Sequence, residues 1–344
     1  MNRRNSVQIA IKTIAISAVF ISANSAFAQE KVTFGTNWFA QPGHGGFYQA
    51  VVDGTYKRYG LDVEIVQGGP QVNNRPLLPV GKLDFLMTGN LLLTFDNIKN
   101  KVPTTVVAAI FQKDPQAIFA HPDQGYKTFA DLTKAPTAFI SKDGQFSFWQ
   151  WMKAEHGFKD EQLKPYVFNV GPFLADKKSV QQGYSISEPV SIKAQAGFDP
   201  MVFLLADNGF STYSTTIETR TELVKTKPEL VQKFVDASLI GWYNYMYGDN
   251  KAANELLKKT NPNLTDAGIA GSIDLMKKLG IVDSGEALQN GIGAMSAARI
   301  KDFHDKMVKA GIYKAGEVDL SQVATTQFVN KKVGMDVKAR LGGK

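Results

Sequence analysis

Apolar and polar residues alternate with two different periods along the chain from residue 31 onward. Runs that alternate with a period of two, or that are apolar throughout, predict strands. Such runs lie at 31–35, 61–66, 83–87, 104–111, 117–120, 137–140, 166–170, 184–187, 201–205 and 213–219.

Helical spacing of apolar residues separates most of these runs. It predicts helices at 47–58, 72–80, 91–99, 128–132, 145–156 and 229–247, and one that begins at Glu188. Gly60 stands where helices terminate, Thr88-Gly89-Asn90 caps the helix that follows, and Pro189 lies in a first turn, where proline costs no hydrogen bond. Because strands alternating with helices are typical of βαβ units, the pattern predicts an α/β fold with parallel sheets.

The strand–helix rhythm restarts near residue 117, and after residue 219 the chain is predicted to be helical to its end. A second α/β unit inserted into a first one accounts for this order. We therefore expect one lobe from residues 29–111 plus 209–344 and another from 112–208. Two crossings, near 111–115 and 207–211, would form the hinge between them.

The first 28 residues have the pattern of a secretory signal peptide. Arg3 and Arg4 give a positive start, residues 9–23 are mostly apolar, and Ala26-Phe27-Ala28 fits a cleavage site. A membrane anchor is the alternative, but Lys12 interrupts an apolar run that is already short for a span of about 20 residues. The segment predicts an exported protein whose mature chain begins at Gln29.

Composition narrows the possible partners. The chain is 44% hydrophobic and 21% charged, which is typical of a globular protein with a large core. Removal of the three basic residues of the signal segment lowers the formal charge from +7 to +4. Since this charge is mild and no basic block occurs, we expect no nucleic-acid partner.

The chain has no cysteine and four histidines, which lie far apart in the sequence. It therefore has no disulfide framework, no thiolate nucleophile, no cysteine for lipid attachment and no histidine pair spaced for a metal. Neither a Gly-x-Ser-x-Gly nor a Gly-Lys-Ser/Thr motif is present. We expect no catalytic residues, no metal and no cofactor, in an exported periplasmic protein that is not embedded in the membrane.

The stretch from residue 36 to 48 is the strongest candidate for a ligand site. It connects the first predicted strand to the first helix through a loop rich in glycine, and it contains Asn37, Trp38, His44 and Tyr48. Ligands of open α/β sheets bind at the carboxyl ends of strands, and an amide, indole, imidazole and phenol suit a flat polar molecule. The alternative is a core tryptophan beside a buried histidine.

Other loops at predicted strand ends supply further candidates. Gly89 and Asn90 follow the third strand, while Gly144 and Gln145 open a helix whose free N–H groups suit an anionic or carbonyl group. An ordinary capped loop is the alternative there. Of the four aromatic residues on that helix, Phe146 is the one expected nearest the cleft, because one helix face cannot direct all four to a ligand.

Several motifs together carry a family resemblance. They are Asn37-Trp38, His44 seven residues after the Asn, Gly54-x-Tyr56-x-x-x-Gly60-Leu61-Asp62-Val63, Gly81-Lys82-Leu83-Asp84-Phe85 and Ser187-Glu188-Pro189. With the export signal, they resemble solute-binding proteins of bacterial ABC importers, in the group shared with pyrimidine-precursor (thiamine) binding proteins and thiamine-pyrimidine synthases. More distant relatives bind sulfonates, nitrate and riboflavin. The resemblance covers nearly the whole mature chain and implies a two-lobed periplasmic binding fold, type II-like, with a double-crossover hinge and a helical C-terminal tail.

The synthase branch of this group is the enzyme alternative, and the chain departs from it. In those enzymes a lysine after the third strand holds pyridoxal phosphate, and a histidine follows four residues later. The matching positions here are Thr88 and Leu92, and the enzymes' cysteine cluster is absent. With no amine for a Schiff base and no thiol, the sequence argues against this chemistry.

Tyr184 and Glu188 are four residues apart at the start of a predicted helix. In the related pyrimidine-precursor binders, a Glu before this helix accepts hydrogen bonds from the ligand and an upstream Tyr stacks on its ring. Such a charge-assisted bond discriminates against ligands that lack the donor. The alternative is a carboxylate that only caps the helix or interacts with its dipole.

The sequence therefore predicts a monomeric, non-enzymatic binding protein that delivers a small flat nitrogen-containing molecule, similar to the thiamine pyrimidine precursor, to an ABC permease and its ATPase. A sulfonate, an aromatic carboxylate, nitrate or a flavin are the alternative ligands. An exported enzyme that acts on such a molecule in the same cleft is the alternative class of function.

Overall fold

A computed structural model describes residues 29–343, and the predicted signal segment 1–28 lies outside this range. The described chain forms two five-stranded sheets. Its strands are β1 Glu30–Gly35, β2 Leu61–Val66, β3 Phe85–Asn90, β4 Thr104–Phe111, β5 Gln116–Ala120, β6 Ala138–Ile140, β7 Leu163–Pro165, β8 Val180–Tyr184, β9 Met201–Leu204 and β10 Ser214–Arg220.

The first sheet has the strand order β2-β1-β3-β10-β4. β1 runs parallel to β2 and β3, in the register Val32 to Val63 and Phe34 to Phe85. β10 lies antiparallel between β3 and β4, with a bulge between Ile217 and Glu218. This sheet is therefore mixed, whereas the alternation of strands and helices predicted a parallel sheet.

The second sheet has the order β7-β6-β8-β5-β9. β6 is parallel to β7 and β8, while β5 is antiparallel to β8 and β9. It is mixed for the same reason as the first sheet, since each contains a strand that follows a crossing between the sheets. The chain passes to the second sheet through residues 112–115 and returns through 205–213. We call each sheet with its packed helices the first lobe and the second lobe.

Helices cover both sheets and make up most of the chain after β10. They are α1 Gly45–Val52, α2 Thr55–Arg58, α3 Leu91–Lys99, α4 Lys142–Phe146, α5 Phe148–His156, α6 Gly171–Ala175, α7 Glu188–Ala196, α8 Thr221–Thr226, α9 Pro228–Tyr247, α10 Lys251–Thr260, α11 Asp266–Lys278, α12 Ala287–Asn290, α13 Ala297–Lys309, α14 Leu320–Val323 and α15 Met335–Arg340. Short 3-10 helices lie at Pro42–His44, Arg75–Leu77, Phe129–Lys134, Asp160–Gln162 and Leu205–Asn208.

Local backbone chemistry explains two helices that are shorter than predicted. The predicted helix 47–58 is split in two, because Asp53 accepts hydrogen bonds from the backbone and hydroxyl of Thr55 and Gly54 adopts a φ of 73°. The predicted helix 72–80 is reduced to Arg75–Leu77, since Pro76 and Pro79 interrupt it.

The second lobe contains the larger differences from the predicted elements. The helix expected at 145–156 begins at Lys142 and is broken at Ser147, whose φ and ψ are −123° and −105°. The strand expected at 166–170 is irregular, and Leu163–Pro165 pairs with β6 instead. The strand expected at 184–187 lies at Val180–Tyr184, whose first four residues are buried although two of them are glutamines.

The core of the first lobe continues into the helical tail. Phe234 of α9 stacks on Phe85 and meets Phe34 edge-on, so α9 packs directly on the first sheet. Ala324 and Gly293, from the tail, form isolated bridges with β4. Between residues 29 and 343, no helix is long and apolar enough to cross a membrane.

Candidate functional site

A cleft of about 550 Å³, including its opening to solvent, lies between the two lobes. The first lobe, the 112–115 crossing and the first residue of β5 line one wall with Asn37, Trp38, Gln41, Gly89, Asn90, Leu93, Asp114 and Gln116. The second lobe lines the other wall with Ser141, Asp143, Gly144, Ser147, Phe148, Tyr166, Gln182, Gly183, Tyr184 and Glu188.

Strand direction places these residues together. Asn37 and Trp38 follow β1, Asn90 ends β3, and Asp114 follows β4. In the second lobe, lining residues follow β6 and β7 and end β8. Because the carboxyl ends of these strands face the cleft from both sides, the site has the position that ligands occupy in open α/β sheets.

The two walls are in direct contact in this structure. Asn37 Nδ2 donates to Asp143 Oδ2 at 3.3 Å. The backbone N–H of Lys142 donates to the carbonyl of Pro70 at 3.2 Å, and Gln71 Nε2 donates to the carbonyl of Tyr166 at 3.3 Å. The chain is therefore seen with its lobes closed on each other.

Aromatic rings from both lobes face each other across the cleft. The ring of Trp38 lies 6.0 Å from that of Tyr166 at an interplanar angle of 18°, and Phe168 meets the indole edge-on. Tyr184 and Phe148 complete the aromatic lining. A flat organic ring fits such a surface, because stacked and edge-on contacts both stabilise it.

Glu188, at the first position of α7, is buried and held by hydrogen bonds. Its Oε2 accepts from the backbone N–H of Tyr184 at 2.8 Å and from the hydroxyl of Ser187, and its Oε1 accepts from the Tyr166 hydroxyl at 3.2 Å. Burial raises the pKa of Glu188, and these hydrogen bonds oppose that shift. A Cβ at position 183 would lie 2.5 Å from Glu188 Cγ, so only glycine there allows this packing.

Two further carboxyl groups line the cleft. Asp114 Oδ1 accepts from the backbone N–H of Gln116 at 3.1 Å, while its Oδ2 is buried without a well-formed hydrogen bond among residues 29–343. The Ser214 hydroxyl lies near enough to lower the pKa of this carboxyl group, against the effect of burial. Burial raises the pKa of Asp114 to about 7 and also raises the pKa of Asp143. Both groups therefore favour the protonated form more than a carboxyl in water does.

Tyr184 lies among all three carboxyl groups. Burial, followed by the charges of Asp114, Asp143 and Glu188, raises the pKa of its phenol well above the ordinary value. Of the described residues, none of those that line the cleft is a lysine or arginine. The cleft is thus aromatic and acidic.

Seven of the residues singled out in the sequence line this cleft: Asn37, Trp38, Gly89, Asn90, Gly144, Tyr184 and Glu188. His44 and Tyr48 do not. Both ring nitrogens of His44 and the hydroxyl of Tyr48 are buried without a partner in the described chain, and burial lowers the pKa of His44 to about 3. Both residues are buried, and neither lines the cleft where the sequence predicted them.

Gln145 and Phe146 also lie away from the cleft lining. The side chain of Gln145 donates to the carbonyl of Ile140 at 3.2 Å, and Phe146 is 45% exposed on the outer surface. The break at Ser147 turns the second half of the helix, so Phe148 faces the cleft where Phe146 was expected.

The start of α4 differs from the expected anion site. Gly144 N–H donates to the capping hydroxyl of Ser141 at 3.2 Å, Gln145 N–H donates to the Ser141 carbonyl, and Lys142 N–H bonds to the other lobe. What this loop presents to the cleft is the carboxyl group of Asp143. An acidic side chain there opposes an anionic ligand.

Sequence reasoning missed Asp114, Asp143 and Tyr166 as site residues. Asp143 lies in a segment that was already singled out, so its carboxyl group was an available signal. Tyr166 was placed inside a strand, and Asp114 lies in a crossing segment whose position depends on long-range strand pairing. Their place in the cleft follows from topology.

The chain is similar to one known protein family and to a riboflavin-binding protein. The family described as "NMT1/THI5 like" matches residues 41–253. The riboflavin-binding protein RibY of Chloroflexus aurantiacus is 24% identical over 308 residues, which cover 87% of this chain and 86% of that protein.

Solved structures share the fold. The ligand-binding component of an ABC-type import system from Staphylococcus aureus, solved with zinc bound, has a TM-score of 0.63 at 10% identity, covering 89% of this chain and 100% of its own. The periplasmic aliphatic sulphonate-binding protein SsuA of Escherichia coli has a TM-score of 0.55 at 17% identity, covering 85% and 91%. The desulfurization enzyme DSZB has a TM-score of 0.51 at 13% identity, covering 90% and 100%. The predicted two-lobed periplasmic binding fold is therefore confirmed, and the fold alone does not separate binding from catalysis.

Proposed function

The chain belongs to the NMT1/THI5-like family, and on that premise we propose that it is the periplasmic solute-binding component of an ABC importer. Its ligand is a small flat nitrogen-containing molecule of the pyrimidine-precursor type, which it delivers to a permease driven by an ATPase. The mature protein begins at Gln29 and acts as a monomer. Its lobes, residues 29–111 plus 209–344 and residues 112–208, close on the ligand about the two crossings.

One observation carries this proposal: an aromatic cleft between the lobes holds a buried, oriented carboxyl group. The Glu188 carboxyl is fixed by three donors and lines a cleft that also contains Trp38 and Tyr184. An aromatic face can stack on a heterocycle, and a buried carboxylate selects N–H donors on its edge. A ring between Trp38 and Tyr184 would place its edge toward Glu188, with the amide of Asn37 beside it.

The proposed function is binding without catalysis. Thr88, at the position of the synthases' lysine, donates from its hydroxyl to Glu218 Oε2 at 2.7 Å in the core of the first lobe. This position thus has neither an amine nor an orientation toward the cleft. Asn90 caps α3 by accepting from the Leu92 backbone, so the position of the family's histidine is an ordinary helical residue here.

Anionic ligands are disfavoured by the same geometry. Sulfonate, nitrate and aromatic carboxylate ligands would each bring a negative charge toward Asp114, Asp143 and Glu188. Since like charges in a desolvated cleft repel strongly, these ligands rank below a neutral or protonated nitrogen heterocycle. A flavin presents a flat ring with an N–H edge and stays the nearest alternative.

Native mass spectrometry of protein purified from the periplasm of its host tests the proposal. The expected result is a chain that begins at Gln29 and carries one bound molecule, identified as a flat nitrogen heterocycle and left unchanged by prolonged incubation. A bound sulfonate or carboxylate would contradict the ligand class. Conversion of the bound molecule to a product would contradict the binding function.

A further inference from the structure

Three carboxyl groups from three separate segments surround the cleft: Asp114 in the crossing, Asp143 in α4 and Glu188 in α7. We infer that the cleft selects an organic cation, a flat ligand that carries a protonated nitrogen group, and that Asp114 is the specificity residue that receives this group. The inference rests on the proposed binding function and narrows its ligand class.

Asp114 is the carboxyl group whose bonding is incomplete. Glu188 accepts hydrogen bonds at both oxygens, whereas Asp114, which is 2% exposed, has an Oδ2 that is buried without a well-formed hydrogen bond among the described residues. The Ser214 hydroxyl, also buried without a partner there, lies near this carboxyl group and lowers its pKa. A buried acceptor without a donor costs free energy. A ligand N–H group at this oxygen would remove that cost, and a positively charged one would also stabilise the ionised carboxylate.

Asn37 supplies a second open acceptor at the cleft. Its Nδ2 donates to the Asp143 carboxyl, which fixes the amide orientation, because the opposite orientation would set oxygen against oxygen. Asn37 Oδ1 is then buried without a partner in the described part of the chain. The cleft thus offers acceptors where a ligand must bring donors.

The aromatic lining favours an organic cation. Trp38, Tyr166 and Tyr184 present ring faces or edges to the same cleft, and aromatic faces attract desolvated cations. Arg75, which lies on the far side of Asp143, donates to the Leu93 carbonyl and to Asn97 Oδ1, both at 2.7 Å. Its charge also acts on Asp143, whose pKa it lowers against the effect of burial, but its guanidinium does not line the cleft.

A matched set of flat probes tests this inference on the wild-type protein: benzamidine, benzamide and benzoate, which are similar in shape and carry charges of +1, 0 and −1. We expect calorimetry at pH 8 to give a dissociation constant for benzamidine at least about tenfold below that for benzamide, with no benzoate binding. Equal affinities, a preference for benzamide or benzoate, or failure of benzamidine to bind would each overturn the inference.

The variant Asp114→Asn assigns the effect to one residue. It should reduce the preference for benzamidine over benzamide by about tenfold. Asp207→Asn is the matched control, because Asp207 lies in the other crossing segment, is 63% exposed at its side chain and pairs with Lys113 on the surface. An unchanged preference in Asp114→Asn, in protein with wild-type circular dichroism, would refute the assignment.

The proposed function and this inference can fail separately. If the molecule bound to the purified protein is a neutral heterocycle and the probes show no preference for the cation, the binding function stands and the cation selectivity is wrong. If the purified protein carries a sulfonate and binds benzamidine no better than benzamide, both are wrong.

Discussion

Two buried carboxyl groups near the same sheet show opposite patterns of hydrogen bonding. Glu218, in β10 inside the first lobe, is fully buried and accepts from Thr88, Thr94, Asn97 and Thr104. Asp114, just beyond the neighbouring strand β4, accepts at one oxygen, and its other oxygen has no well-formed hydrogen bond in the described chain, although the Ser214 hydroxyl lies near the carboxyl group.

The difference separates a structural group from a site group. A carboxylate saturated with donors stabilises the fold, and its removal leaves those donors unpaired. A buried acceptor left open destabilises the free protein and is kept where a ligand completes it. Structural groups and site groups should therefore respond differently to substitution, and five predictions follow from that difference, from the largest effect to the smallest.

Glu218→Gln should have the largest effect, and it should act on stability. The amide would place N–H donors against hydroxyl and amide donors, so the free energy of unfolding should fall by about 3 kcal/mol. Urea unfolding measures this. Glu222→Gln, at a side chain 74% exposed, should change stability by no more than about 0.5 kcal/mol. A Glu218→Gln protein as stable as wild type would show that the comparison is mistaken.

Trp38→Ala should act on binding instead. Loss of a stacking face typically costs about 1–3 kcal/mol, so affinity for the co-purified ligand should fall about ten- to a hundredfold. Because Trp38 lines the cleft and is not in the core, the melting temperature of the free protein should change little. Phe39→Ala, at the next residue and outside the cleft lining, is the control. Loss of stability without loss of affinity would place Trp38 among the structural residues.

Affinity for benzamidine should rise by up to about tenfold between pH 6 and pH 8. Burial raises the pKa of Asp114 to about 7, so the carboxylate that receives the cation forms within this window. Asp143, Glu188 and Tyr184 also surround the site, so the comparison with Asp114→Asn isolates the one group. If the affinity of Asp114→Asn for benzamidine rises equally steeply with pH, Asp114 is not the group responsible.

Asp114 should also make stability depend on pH, in the direction opposite to its effect on affinity. Between about pH 4 and pH 7 the folded protein keeps a proton on Asp114 that the unfolded chain has lost, so this group's contribution to the free energy of unfolding falls as pH rises. The free energy of unfolding of wild type minus that of Asp114→Asn should therefore fall as pH rises over that range. An increase would contradict the assigned pKa.

His44→Phe should have the smallest effect on binding. His44 is buried outside the cleft lining and its pKa is lowered to about 3, so it carries no charge near neutral pH. Ligand affinity measured by calorimetry should change by less than about threefold. A tenfold loss of affinity would show that His44 contributes to ligand binding, as the sequence predicted.

Short-range patterns predicted much of the fold. Strands β2 and β4 were predicted to the residue, because each is an apolar or alternating run with turn residues at its ends. The mixed direction of both sheets was not, since β10 enters between β3 and β4 from more than 100 residues away. Local pattern contains no information about such pairing.

The cleft residues also fall into those that local sequence pattern predicts and those that depend on long-range topology. Trp38 and Glu188 were predicted as site residues because they stand beside recognisable strand and helix ends, and both line the cleft. His44 was misplaced, because a histidine in a glycine-rich loop has the same sequence pattern whether its ring points outward or into the core. Asp114 and Tyr166 reach the cleft only through the crossing between lobes and the irregular segment after β7.

Calorimetric titration of the co-purified ligand into Glu188→Gln tests the central claim most directly. If the cleft holds a flat molecule by hydrogen bonds from its N–H groups to this carboxyl, affinity should fall about ten- to a hundredfold, which corresponds to about 1.4–2.8 kcal/mol. Glu161→Gln, on an exposed 3-10 turn of the same lobe, should bind as wild type does. Unchanged or tighter binding by Glu188→Gln would contradict the claim, because an anionic ligand would gain from loss of the negative charge.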